Sequence, residues 1–278
     1  MIYELNPKDY PKMKPLLNGL EKHPVINGVI DRNNVGRIFV DHKNSPTAAL
    51  IWAQMELFYL IGNSENPVFN SQIEGFIIHS LKLEALAIGD DCLNLELYPF
   101  QSWERNLNNI FKNQLMKGER VPFKFEKKRF SSLDVKSVPD EYRILKIDPS
   151  VIYLDNENMI SNEIKKFWES LDTFYNKGLG YCVLKKDEVV GTCISAFVSN
   201  NEYEIGINTY KPEHRGKGLA TVMASLFIEE CLNIGGIPHW TTEHFRKDSI
   251  AIANKLGFKQ LSNYPMYFLP FEDLVYRS

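Results

Sequence analysis

Lys211-Pro212-Glu213-His214-Arg215-Gly216-Lys217-Gly218-Leu219-Ala220 is the stretch on which the reading of this chain turns. Ahead of it, Tyr203-Glu204-Ile205-Gly206-Ile207-Asn208-Thr209 alternates as a strand does, and behind it Leu219 to about Ile234 carries apolar residues at helical spacing. A strand, a tight basic glycine loop and a helix start together make an anion cradle. The first-turn amides of a helix have no intrahelical partner and point outward. The macrodipole adds about 0.3–1 kcal/mol for a negative group set there. Gly216 and Gly218 let backbone approach a phosphate with no Cβ in the way, and Arg215 and Lys217 supply positive charge. The guest this predicts is a diphosphate. The spacing is not Gly-x-Gly-x-x-Gly, because position 221 is Thr, and no Gly-Lys-Ser/Thr follows a four-residue gap as in a P-loop. An ordinary glycine-rich turn between strand and helix competes with the cradle reading, so the rest of the chain must decide.

At 278 residues the chain exceeds one average domain, and 44% apolar with 12% aromatic residues is enough to bury a substantial core. A net charge of −3 with both signs well mixed gives no basic stripe, so neither nucleic acid nor a membrane surface is an expected partner. Cys92, Cys182, Cys193 and Cys231 show no metal-ligand spacing and read as free core thiols in a reducing cytosol. A Cys182–Cys193 disulfide between neighbouring strands is the less favoured alternative. The start, Met1-Ile2-Tyr3-Glu4-Leu5-Asn6-Pro7, has no basic n-region or apolar h-region. Ala48 to Ile61, the longest apolar stretch, holds Gln54 and Glu56 and is too short to span a bilayer. The expectation is a soluble, cytoplasmic protein without a metal.

In the first half, Tyr10 to Leu20 is the best early helix candidate and Gly36 to Asp41 a strand. After the polar turn 42–46, Ala48 to Leu60 reads as one long second strand. Gln72 to Ile88 has helical periodicity, Leu93 to Tyr98 alternates, Trp103 to Leu115 reads as an amphipathic helix, and Val121 to Phe130 as a closing strand. The second half repeats that order of elements without repeating residues. The only counterpart of the basic loop, around Ser64-Glu65-Asn66-Pro67, is uncharged or acidic and suits a diphosphate poorly. Residues 1–133 therefore read as a degenerate or auxiliary lobe and 140–278 as the working one, with 131–140 as the boundary.

In the second half, Tyr142 to Ile147 is a strand, Ser161 to Tyr175 a helix, and Gly180 to Lys185 with Val189 to Val198 a hairpin. Gly235-Gly236 ends the helix after the cradle, and Ile237 to Thr242 is the next strand. Asp248 to Leu256 is a helix stopped by Gly257, and Phe258 to Phe268 completes the set. Trp52, Trp103 and Trp168 read as core.

Two signatures now stand in order. Arg215-Gly216-Lys217-Gly218-Leu219-Ala220 resembles the (Gln/Arg)-x-x-Gly-x-(Gly/Ala) acyl-coenzyme-A signature of the GNAT acyltransferase superfamily, and the segment Ser249 to Phe258 resembles its motif ending Lys-(Leu/Ile)-Gly-Phe. The likeness covers about residues 140–270, and the full length is similar to the two-lobed, zwittermicin-resistance-type group. It implies an α/β (α+β) GNAT fold, a mixed, mostly antiparallel sheet flanked by helices, preceded by a GNAT-like lobe. It also implies direct transfer of an acetyl group from acetyl-CoA to a small-molecule amine, a homodimer being left open.

On that resemblance Arg215 to Ala220 hold the pyrophosphate, and Ile207, Asn208 and Thr209 of a splayed strand bind the pantetheine arm and polarise the thioester carbonyl. Gly206 is the expected place of a bulge in this strand. An amine is largely protonated at neutral pH and needs a proton acceptor, for which Glu204 and Glu243 are candidates; solvated strand ends are the competing reading. His239 and His244 read as bland. The family's usual tyrosine donor is replaced by Ala253. Ser249 carries over as a coenzyme contact and a weaker acid candidate, with helix N-cap as its competing role. Arg246 stands where asparagine is common, Trp240 is expected beside the acyl site, and Tyr264 and Tyr267 are substitute donors or packing residues. A coenzyme-binding module without turnover is the second reading.

Overall fold

The structure, a computed structural model, describes residues 1–130 and 138–277. Most of the expected boundary segment, residues 131–137, lies outside the described residues. Along the first part of the chain run β1 (Tyr3–Glu4), a 3-10 stretch (Pro7–Leu16), α1 (Pro24–Ile30), β2 (Gly36–Val40), β3 (Ala48–Ala53) and β4 (Leu57–Gly62). Then come α2 (Pro67–Phe76), continuing through a π turn into α3 (Lys82–Ala87), β5 (Cys92–Tyr98), α4 (Phe100–Ile110), β6 (Met116–Phe125) and α5 (Lys127–Phe130). The later part holds β7 (Tyr142–Lys146), α6 (Pro149–Tyr153), α7 (Met159–Lys165), α8 (Leu171–Lys177), β8 (Gly180–Lys185), β9 (Glu188–Ser199) and β10 (Glu202–Thr209). It ends with α9 (Leu219–Asn233), β11 (Ile237–Glu243), α10 (Lys247–Lys255), β12 (Phe258–Gln260) and β13 (Tyr264–Pro270).

Two compact units result: Met1–Glu119 with Tyr264–Ser278, and Arg120–Asn263. The first has the strand order β1-β2-β3-β4-β5-β13 and the second β7-β8-β9-β10-β11-β6. The orders share one form, and in each the sixth place is taken by a strand from the other half of the chain. The expected division at 133/140 therefore differs from the compact units. Val121 to Phe125 belongs to the second, and Tyr264 to Phe268 to the first. Alternation marks a strand but not the sheet it joins.

Other differences have local causes. The long strand expected over 48–60 is the hairpin β3–β4, turned by Gln54-Met55-Glu56 with Met55 at φ 62°. All of β3 and nearly all of β4 is buried, so neither period nor a Gly, Pro or Asn marks the turn. The helix expected over 161–175 is two, because Ser170 starts α8 afresh by accepting the Thr173 amide at 3.1 Å. The start of α7 is held by Asp155, whose carboxylate accepts the Met159 and Ile160 amides at 2.9 and 2.7 Å. Helix α1, buried at every position, has no polar face for periodicity to find.

The first unit's core gathers Phe39, Trp52, Phe58, Phe69, Trp103 and Phe271, each such side chain contributing about 1.5–3 kcal/mol by leaving water. In the second unit α9 buries Met223, Phe227 and Ile228 against β8 and β9. Helix α7 lies on β9 as well, and Trp168 donates to the Ser195 carbonyl at 2.8 Å.

Candidate functional site

Strand β10 pairs with β9 along its whole length. With β11 it is parallel and pairs only at Glu202, Tyr203 and Glu204. Along its other edge β11 pairs with β6 from Trp240 to Glu243. The two parallel strands fork after Glu204, and among the described residues the far edge of Ile205–Thr209 has no strand beside it. The Glu204 carboxylate sits in the fork and accepts the Thr241 amide at 3.1 Å, an amide just past the last paired residue. The expected bulge is present but on the partner strand. Glu204 faces Phe197 and Ile205 faces Ser195, leaving Ala196 of β9 extra. Gly206 lies against it, where a Cβ would come within 3.1 Å of the Ala196 Cβ.

A cleft of about 450 Å³ opens at the fork. Its walls are Ile207, Asn208 and Thr209 of the splayed strand, His214, Arg215, Gly216, Gly218, Leu219, Ala220 and Thr221 of the loop and first turn of α9, and Arg246, Asp248, Ser249 and Ile252 of α10. Gly216 and Gly218 have φ of 73° and 81°, the left-handed region that glycine enters without strain. Gly218 is the N-cap of α9 and brings no capping side chain. The first-turn amides are thus left open to the cleft side rather than filled from within. Arg215 donates from Nε to the Thr209 carbonyl at 3.3 Å, which ties the loop to the end of the strand.

The corresponding place in the first unit is closed. The parallel β4–β5 ladder runs on from Phe58↔Leu95 to Ile61↔Tyr98 without forking. The N-terminus of α2 is filled by Asn66, whose Oδ1 accepts the Phe69 amide at 3.1 Å. The Asn66 amide group in turn donates to Asp41 at 3.0 Å. The cradle chemistry resides in the second unit alone.

Of the residues expected to touch the coenzyme, all line the cleft except Lys217. Its ammonium lies 6.0 Å from the centre of the Tyr142 ring. Ser249 does line it. It is not the helix N-cap, since α10 begins at Lys247 behind Arg246. Ser249 Oγ accepts the indole N–H of buried Trp240 at 3.0 Å. With that lone pair engaged, the hydroxyl proton points away from the indole and can be donated.

The two carboxylate candidates differ. Glu204 is buried at the fork. Glu243 is tied by both oxygens, to Arg120 at 2.8 Å and Arg246 at 3.8 Å. His239 pairs with buried Glu202 at 2.5 Å, and Ala253 is fully buried. The hydroxyls of Tyr264 and Tyr267 are engaged within the first unit, on Glu96 at 3.0 Å and Glu104 at 2.7 Å. Sequence reasoning missed His214, Thr221, Asp248 and Ile252 as cleft residues. His214 and Thr221 lie in or next to the quoted stretch, so their position was visible and only their burial was not.

A fork between parallel strands, leading to a glycine-capped helix start, is the arrangement the two sequence signatures imply. A family model described as GNAT acetyltransferase matches residues 14–267. The chain belongs to the GNAT acetyltransferase family. It is 27% identical over 271 residues to the uncharacterized N-acetyltransferase YdfB of Bacillus subtilis (strain 168), covering 96% of this chain and 98% of that protein. Among solved structures it is similar to a GCN5-related N-acetyltransferase-like protein from Streptococcus suis 89/1591, with a TM-score of 0.67 at 20% identity over 94% of this chain and 98% of the other. A tandem GNAT protein from the clavulanic acid biosynthesis pathway gives 0.61 at 10% identity, covering 98% of each chain. At those identities the structural matches speak for the fold, a tandem GNAT architecture with a mixed, mostly antiparallel sheet. Membership makes the chain an N-acetyltransferase and implies the use of acetyl-CoA. Among the described residues no helix is long and apolar enough to cross a membrane, and no three potential metal ligands cluster. The four cysteines are free. Burial pushes the Cys182 and Cys231 thiols up to about 12.

Proposed function

We propose that the second unit transfers an acetyl group from acetyl-CoA directly to the amine of a small molecule, while the first unit serves as an auxiliary lobe. The observation that carries this reading is the fork after Glu204 opening onto the start of α9. The first-turn amides and Arg215 hold the diphosphate, and the free edge of Ile205–Thr209 takes the pantetheine amides and the thioester oxygen. As the amine nitrogen bonds to the carbonyl carbon, negative charge gathers on that oxygen, where fixed backbone donors stabilise it without reorganising. Glu204, directly or through one water, accepts the proton the amine gives up. Collapse breaks the C–S bond, and the hydroxyl of Ser249, oriented by Trp240, donates a proton to the departing thiolate.

The full-length, two-unit layout supports a place near the zwittermicin-resistance-type members. Ala253 in the position of the usual tyrosine favours one rival: a coenzyme-binding module without turnover. Calorimetry with acetyl-CoA, joined to thiol release across a panel of small amines, separates them. Binding with turnover of one amine upholds the transferase reading. Binding without turnover of any supports the rival, and no binding removes both.

A further inference from the structure

His214 is the one titratable imidazole that lines the cleft. It is only 6% exposed, although Glu213 and Arg215 on either side are exposed. The single turn Pro212–His214 is fixed by the His214 amide on the Lys211 carbonyl at 3.1 Å and the Arg215 amide on Pro212 at 3.0 Å. The ring is fixed as well. Nδ1 lies 2.9 Å from the hydroxyl of Tyr142 on β7, itself 3% exposed, and the two rings meet edge-on. Among the described residues the imidazole makes no other hydrogen bond. With Nδ1 committed to Tyr142, Nε2 is the ring nitrogen left for a ligand in the cleft.

The Tyr142 hydroxyl makes both charge states acceptable. It donates to Nδ1 when the ring is neutral and accepts from Nδ1–H when the ring is protonated. In either state Nε2 carries hydrogen and can donate. The groups around it are Lys211 and Glu213 on its own turn, Arg215 and Lys217 in the loop, and Lys185 of β8 with its ammonium 5.5 Å from the Tyr142 ring centre. Glu188 of β9 is paired with Lys211, and Arg246 and Asp248 of α10 face the same cleft. A phosphate arriving there meets a preformed donor rather than a flexible surface cation.

We propose that His214 is a coenzyme-binding residue that donates from Nε2 to the diphosphate, and that binding draws a proton onto its ring, so that affinity rises as pH falls. This rests on the coenzyme reading above. The test uses dephospho-CoA beside CoA, because the 3′-phosphate titrates near pH 6 by itself while the diphosphate does not.

For the wild type, dephospho-CoA affinity should rise about tenfold from pH 8 to pH 5.5. Calorimetry near pH 6.5 in buffers of different ionisation heat should show net proton uptake. H214Q, which can donate but not titrate, should lose most of the slope. A slope that survives in H214Q overturns the proposal. So does a slope with CoA that vanishes with dephospho-CoA, since it belongs to the 3′-phosphate. Should H214Q not fold, proton uptake by the wild type with dephospho-CoA decides alone. If neither compound binds at any pH, the coenzyme reading itself falls, a result distinct from flat but measurable binding.

Discussion

Replacing Gly218 by aspartate tests the cradle most directly. At φ 81° an L-residue pays about 1–2 kcal/mol, with aspartate and asparagine at the low end because they tolerate the left-handed region. A Cβ there meets nothing within 4 Å, so no clash adds to that cost. A carboxylate at the helix start returns about 0.3–1 kcal/mol through the dipole. The net loss of stability is therefore about 1 kcal/mol, a fall in Tm of about 2–4 °C. Binding should suffer far more.

One unit charge about 5 Å from a phosphate charge costs about 3 kcal/mol at an effective dielectric constant near 20. Screening at an exposed loop reduces this to about 1.5–3 kcal/mol. Gly218→Asn is the control, with the same shape and strain and no charge. Calorimetry with acetyl-CoA should give G218D ten- to a hundredfold weaker than G218N, and the gap should shrink in 0.5 M salt. If the two variants bind within twofold of each other while both remain folded, the diphosphate is not held at this helix start.

Glu204→Gln keeps an acceptor for the Thr241 amide and should leave stability within about 1 kcal/mol, whereas Glu204→Ala removes that acceptor and costs about 1–3 kcal/mol. If Glu204 takes the amine proton, E204Q lowers kcat/KM by about 10²–10⁴ with coenzyme affinity unchanged; full activity in E204Q removes the assignment. Ser249→Ala strips the buried Trp240 indole of its acceptor and should cost about 1–3 kcal/mol in denaturant melts. A double cycle with Trp240→Phe should recover much of that loss, and additive effects would show the pair is not coupled. The buried thiols bear on alkaline stability. Folded Cys182 and Cys231 sit near 12 against 9.0 in the unfolded chain. Above pH 9 the native state holds protons the unfolded state has lost, so stability should fall as pH climbs from 9 toward 12. C182A and C231A should each flatten that fall, as read by urea midpoints.

Much of the site was legible in the chain because its geometry is local. Gly216 and Gly218 specify left-handed backbone, Arg215 the charge, and the apolar period after Leu219 the helix, all within about two turns of one another. The family likeness rests on those residues and on Ser249 to Phe258, and the fold followed from it. Pairing between distant segments was another matter. The fork after Glu204 lies where β11 stops pairing with β10 while its other edge pairs with β6, Trp240 facing Phe123 from 117 positions earlier in the chain, and no local pattern encodes that choice.

The same holds for the strands that take the sixth place in each sheet. Alternation made β6 and β13 strands, and packing in each unit decided where they belong. Glu243 stood as a proton-acceptor candidate against a solvated strand end before Arg120 was folded beside it, and nothing in the chain showed that the His214 ring packs on Tyr142. Backbone conformation is set by neighbours in sequence, so the cradle could be read from the chain; desolvation and partner choice are set by neighbours in space, so the roles of its acids and its histidine required the fold.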